Sequence, residues 1–186
     1  MGKSEFIGDF NFVGEGIDAE GILKVTLQPI DLMTYWKRCG LIADFGAQFY
    51  AYAYGKNNDI IENTISTVLN ELVENAAKFS KQRNSVVEIV LKHYINLVSI
   101  EVANEATPRI SESFRSYVKE LIGGNHEELY FRKLEERAED DTSSGMGLLM
   151  ILKDYPCRFG AKFEELQEDG TSYYKIHVKI IMKLEE

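Results

Sequence analysis

Sulfur, imidazole and proline are scarce in this 186-residue chain, which has two cysteines, three histidines and three prolines. Cys39 and Cys157 stand far apart, without the close spacing of zinc ligands. Thiols so placed read as structural groups of a reducing compartment. His93, His126 and His177 fall in three different elements, so no His/Cys cluster points to a transition metal. Positive charge is also short. The 21 Lys and Arg against 30 Asp and Glu leave a formal net charge of −9. That excludes a broad nucleic-acid footprint, but not a nucleotide site built from backbone N–H groups and one or two local cations. No apolar run approaches the length of a membrane span. The leading MGKSEFIGDF has no apolar signal-peptide core, and Phe6 stands where a myristoylation signal wants Ser or Thr. The chain is expected to be cytoplasmic.

The length and composition that remain are those of one ordinary globular domain. Its strongest pattern is Asp59 to Ser80. Ile61, Ile65, Val68, Leu69, Leu72, Ala76 and Phe79 follow the spacing of one buried helix face, with Asn58 or Asp59 as cap. Glu71 and Asn75 lie one turn apart on a neighbouring face, and Lys78 follows. Ile22–Pro29 reads as a short strand. Residues 30–54 carry Tyr35, Trp36, Phe45, Phe49, Tyr50, Tyr52 and Tyr54, with a helix over the second part. With Phe6, Phe10 and Phe12 upstream, this aromatic density suggests core or a homodimer surface.

After the long helix, Ser85–His93 and Ile95–Ala103 alternate and are rich in Val and Ile, as an antiparallel hairpin would be. Residues 104–108 are expected to leave the second strand as a loop, because Pro108 cannot continue a ladder. Two helical stretches follow, Ser111–Leu121 and Glu127–Glu139. A glycine loop, Asp140–Gly147, opens a short helix, Leu148–Asp154, which Pro156 ends. Cys157–Leu166 and Thr171–Leu184 are strands about a turn at Asp169-Gly170 with type I′ character. The order predicts an α+β two-layer sandwich, a mostly antiparallel sheet with helices on one face. Residues 1–55 are expected to form a strand/helix extension and 56–186 the core.

Glu71, Asn75 and Lys78 on the helix, Asn104 at a strand end and Ser143, Ser144, Gly145 and Gly147 in the loop can surround one cavity. A glycine loop opening a helix presents free N–H groups and a positive dipole end to phosphates. Arg132, Lys133 and Arg137 suit either a lid or a solvated helix face with i, i+4 pairing.

The order of these pieces resembles the GHKL superfamily of ATP-binding proteins, whose fold is the Bergerat sandwich. Asn70–Ser80, NELVENAAKFS, is similar to the family's N-box. Ser143–Leu148, SSGMGL, resembles its second glycine box, and Asp169-Gly170-Thr171 its third. The resemblance implies Glu71 as base, Asn75 as ligand of a Mg²⁺ ion that bridges the phosphates, and Lys78 near a phosphate. It implies that Ser144, Gly145, Met146, Gly147 and Leu148 wrap the triphosphate of ATP, and that Thr171 lies by the adenine. Within the superfamily the chain looks most like the anti-sigma-factor serine kinases of partner-switching systems. That branch implies a STAS-domain anti-sigma antagonist as phosphorylated partner, and in some members a sigma factor as well.

One position departs from the family pattern. Where the first glycine box has an aspartate that reads the exocyclic amine of adenine, this chain has Asn104, and the glycines of that box are replaced in Glu105–Pro108. An amide still accepts from the amine, without the charge that strengthens the bond. Two functions of different class follow. Glu71 favours a serine/threonine kinase, and the altered box favours a non-catalytic binding module that senses nucleotide or holds its partner without one.

Overall fold

The computed structural model describes residues 3–12, 18–52, 58–82, 85–139 and 145–183. Among them are strands β1 (Ser4–Gly8), β2 (Gly21–Leu27), β3 (Val87–Tyr94), β4 (Leu97–Ala106), β5 (Cys157–Glu168) and β6 (Thr171–Lys183). The helices are α1 (Pro29–Thr34), α2 (Lys37–Ala51), α3 (Asn58–Lys78), α4 (Pro108–Gly123), α5 (His126–Glu139) and α6 (Met146–Asp154). The strands make one sheet in the order β1-β5-β6-β4-β3-β2. Every neighbouring pair is antiparallel. Helices cover one face, so the chain is an α+β two-layer sandwich.

Strand alternation decides which side chains meet the helices. Val98, Ile100 and Val102 of β4 pair with Met182, Ile180 and Val178 of β6 on the covered face. Phe163, Ala161 and Phe159 continue that face through β5. Onto it packs α3, whose Ile61, Ile65, Val68, Leu69, Leu72 and Ala76 are all buried. Phe79 sits one residue past the helix and is half-buried. The α2 helix lies against α3 and the sheet: a Cβ on Gly46 would come within 2.9 Å of Leu69 and 3.3 Å of Leu91. Tyr50 of α2 donates to the carbonyl of Leu91 at 2.9 Å.

The N-terminal aromatic segment joins the sheet. Ser4–Gly8 is an edge strand on β5, and Phe10 just beyond it is buried. The N-terminal third therefore supplies both edges of the sheet, β1 on one side and β2 on the other. One expectation needs correction: residues 104–106 are strand, not loop. Pro108 occupies the first turn of α4, where no backbone N–H is required, and the Thr107 side chain caps that helix by accepting from Ile110 N. The ladder can therefore run to Ala106. At the β5–β6 hairpin both Asp169 (φ 49°) and Gly170 (φ 77°) have positive φ, as a type I′ turn demands.

The other face of the sheet is charged. His177 Nδ1 lies 2.9 Å from Glu101 Oε1, and its Nε2 lies 2.9 Å from Glu164 Oε2. Lys179 reaches Glu101 at 3.1 Å, Lys162 reaches Glu164 at 2.7 Å, and Lys175 reaches Glu88 at 2.7 Å. Residues 9–12 fold back onto this face. Gly160 leaves room for them, since a Cβ there would stand 2.2 Å from Phe10 N. Lys179 Nζ sits 4.1 Å over the Phe10 ring and donates to the Phe10 carbonyl at 3.2 Å.

Candidate functional site

A cavity of about 760 Å³ opens between α3, α4 and strands β4 and β6. Its walls are mainly apolar, with Leu72 and Ala76 from α3, Val102 from β4, and Ile176 and Val178 from β6. From α4 come Ile110 and Phe114, and from the start of α6 come Gly145 and Leu148. This volume falls in the range of small-molecule and cofactor sites, which combine apolar walls with a few placed polar groups.

Polar groups interrupt these walls. Asn104 of β4 is buried, 6 % exposed, and faces the cavity because it shares the side of Val102. Its one described hydrogen bond is a long one, from Nδ2 to the Glu105 carbonyl at 3.5 Å. A buried amide held so weakly retains donor and acceptor capacity for a ligand. Asn75, one helical turn beyond Glu71 on α3, also lines the cavity. Arg109 and Lys133 stand at its border as cations.

Glu71 lies next to the cavity and touches the opening of α6. A Cβ on Gly147 would come within 1.8 Å of Glu71 Oε2, so only glycine permits this approach. Burial raises the Glu71 carboxyl above its ordinary range, and the neighbouring charge of Glu74 raises it further. A carboxylate so placed is more basic than an ordinary glutamate. Gly145 begins α6 with φ 109°, a left-handed conformation natural to glycine, and the first amides of a helix have no partner within it. The Tyr117 hydroxyl donates to the Gly145 carbonyl and ties α4 across this turn. Burial first, then Glu120, pushes the Tyr117 phenol upward, so it stays a donor.

The structure thus brings together Glu71, Asn75, Asn104, Gly145, Gly147 and Leu148. Met146 is half-buried beside them at the first position of α6. Lys78 is exposed, with Nζ 5.4 Å from the Phe79 ring, and does not line the cavity. Thr171 is exposed at the start of β6, paired with Glu168, five residues before Ile176. It too lies outside the cavity wall. Ser143 and Ser144 fall outside the described residues.

The contribution of α4 is not legible in the sequence. Arg109, Ser113, Tyr117 and Glu120 line the cavity from that helix. A helix face turned to a cavity has the same periodicity as one turned to core, so spacing alone gave no signal. Of the suggested lid residues, Lys133 reaches the cavity, and the Arg137 side chain lies outside the described ones. Arg132 instead pairs with Glu120, its partner across the α4–α5 turn.

Among the described residues no three His, Cys, Asp or Glu side chains gather as a metal site. Asn75, which lines the cavity, offers a cation one neutral amide oxygen. Cys39 and Cys157 are raised to about 11, Cys39 by burial and then Glu74, Cys157 by burial alone. Both therefore stay protonated near neutral pH.

No protein-family model matches the chain, and no curated protein matches it in sequence. Among solved structures it is similar to a chain of the SiaB–SiaC complex from Pseudomonas aeruginosa, with a TM-score of 0.56 at 14 % identity. The match covers 84 % of this chain and 89 % of that one, and it shows a shared fold.

Proposed function

We propose that the chain is an ATP-binding signalling regulator that phosphorylates a serine or threonine of a protein partner, in the manner of the anti-sigma-factor kinases. The observation that carries this is the meeting of Glu71 with Gly147 beside a nucleotide-sized cavity. It joins the helix bearing the base to the turn suited to phosphate. The base of ATP would enter the apolar slot, with its polar edge toward Asn104. Amides at the start of α6 would hold the phosphates, with Gly145 setting their direction. Mg²⁺, held at Asn75, would supply neutralisation of the phosphate charge.

Glu71 would accept the proton of the partner hydroxyl as that oxygen bonds to the γ-phosphorus and ADP departs. Its raised basicity suits this task. The partner in this proposal is a STAS-domain anti-sigma antagonist, with a sigma factor as a further ligand. The similar fold comes from a two-protein complex, which supports a role exercised on a protein partner.

Asn104 favours a second reading, a non-catalytic module that binds its partner in response to nucleotide. A neutral amide holds an adenine amine less tightly than a carboxylate, by about 1 kcal/mol. Transfer of label from γ-³²P-ATP to a STAS-domain protein encoded beside this chain decides between them. The kinase predicts labelling by wild type and a loss of about a thousandfold in Glu71→Gln, with ATP binding retained. Binding without labelling in either protein establishes the second reading, and equal labelling by both removes Glu71 as the base.

A further inference from the structure

The sheet side of the cavity carries a polar group whose direction its strand neighbours do not fix. Asn104 is buried and lies in register between Val87 of β3 and Ile176 of β6. Neither of those side chains can hydrogen-bond, so both flanks leave the amide unconstrained. Its Nδ2 contact to the Glu105 carbonyl is 3.5 Å long, and that carbonyl already accepts a 2.6 Å bond from Lys81 N. Releasing the contact therefore gives up one weak bond and orphans no carbonyl. Two nearby carboxylates are engaged elsewhere. Glu105 pairs with Lys81 at 3.1 Å, and Glu120 pairs with Arg132.

We infer that Asn104 lets the site take guanine as well as adenine nucleotides, an extension that rests on the nucleotide reading proposed above. A side-chain amide carries a donor and an acceptor, and a half-turn exchanges their places. Adenine offers a donor amine at position 6 beside an acceptor at N1. Guanine offers the reverse, an acceptor carbonyl O6 beside a donor N1–H. One orientation of Asn104 pairs twice with adenine, and the other pairs twice with guanine. A carboxylate lacks this freedom, because both of its oxygens only accept. In the same pose it would set a negative oxygen against guanine O6.

Arg109 points the same way. It lines the same cavity, five residues beyond Asn104. A guanidinium has donors only, which suit O6 and N7 of guanine. The apolar walls, including Leu72, Ala76, Val102 and Ile176, reward the buried area of two fused rings without reading their edges. A pyrimidine presents them with a single ring.

Isothermal titration of the full chain with the Mg²⁺ complexes of ATP, GTP, ITP and CTP tests this. Inosine keeps O6 and N1–H of guanine and lacks its 2-amine, so ITP isolates the edge that faces Asn104. In wild type, GTP and ITP should bind within about tenfold of ATP, and CTP should bind more weakly than any of them. Asn104→Asp should tighten ATP about fivefold and weaken ITP about thirtyfold, the loss expected when a buried acceptor meets a negative oxygen. Wild type that binds ATP but holds GTP or ITP more than about tenfold less tightly overturns the inference and leaves the nucleotide reading standing. CTP bound as tightly as GTP also overturns it, as does an unchanged ratio of ATP to ITP affinity in Asn104→Asp. Binding of none of the four nucleotides overturns both. The wild-type series alone decides the matter if the variant fails to fold.

Discussion

The two faces of the sheet treat polar groups in opposite ways. On the open face Glu101, Glu164, His177, Lys162 and Lys179 are half-buried and paired with one another. Burial opposes ionisation of Glu101, but hydrogen bonds from His177 and Lys179 outweigh it and hold its carboxyl down at about 2. Glu164 is also lowered, because hydrogen bonds from Lys162 and His177 overcome its burial. On the covered face Glu71 moves the other way, raised by burial and Glu74. Asn104 has one long hydrogen bond there, and Asn75 faces the cavity. Satisfied polar groups stabilise a fold, while unsatisfied ones at a cavity wait for a ligand. Environments that push two carboxylates apart also separate structural from chemical roles.

Two glycines break this comparison most sharply. Gly160→Ala on the open face drives a Cβ into backbone, 2.2 Å from Phe10 N and 2.6 Å from Phe10 Cα. Backbone cannot move cheaply, so the 9–12 segment should lift and expose Phe10. The expected loss is about 3 kcal/mol in urea unfolding. Gly147→Ala on the covered face meets only the tip of Glu71, which can swing aside. Its loss should stay below about 1 kcal/mol in the same measurement, while phosphotransfer falls strongly. Similar destabilisation by both variants would erase the distinction.

Glu101→Gln comes next in size. The folded pKa of Glu101 lies below its unfolded value, so its contribution is present above the unfolded pKa and is lost as pH falls through about 2. At pH 7 the variant should be less stable by about 2 kcal/mol, after discounting for partial exposure. The gap should close in acid unfolding curves between about pH 4.5 and 2. The sign reverses for Glu71, whose raised pKa makes ionisation a cost to the fold. Removing its charge therefore should not destabilise the protein at pH 7, and a clear loss of stability in Glu71→Gln would remove the contrast between the two carboxylates.

Asn104→Asp has the smallest expected effect. A carboxylate accepting from the adenine amine should tighten ATP binding about fivefold, near 1 kcal/mol, in a fluorescence titration. The same change buries an uncompensated charge, so the ligand-free protein should melt earlier. Unchanged ATP affinity would place the base elsewhere than against Asn104.

Much of the covered face was legible in the sequence. Six of the seven apolar positions predicted for the long helix are buried within α3, and the alternating runs became β3 and β4. Those patterns follow directly from helix and strand periodicity. What escaped depended on contacts distant in sequence. Phe6 and Phe10 pointed to core or a homodimer surface without deciding between them, because only pairing with β5 and packing on His177 give them their places. Asn104 looked like a loop residue because Pro108 suggested an earlier break, and the proline instead starts α4. Arg109 and Tyr117 gave no signal, since a cavity cannot be read from one helix.

The central claim is that the polar groups lining the cavity bind Mg·ATP, with Asn75 on the metal. A thermal melt with and without Mg·ATP, on wild type and Asn75→Ala, tests it most directly. At a hundredfold excess over the dissociation constant, the nucleotide should raise the wild-type melting temperature by roughly 5–10 °C. Asn75→Ala should melt like wild type without nucleotide and show no shift with it. No wild-type shift at millimolar Mg·ATP, or an equal shift in the variant, would contradict the claim.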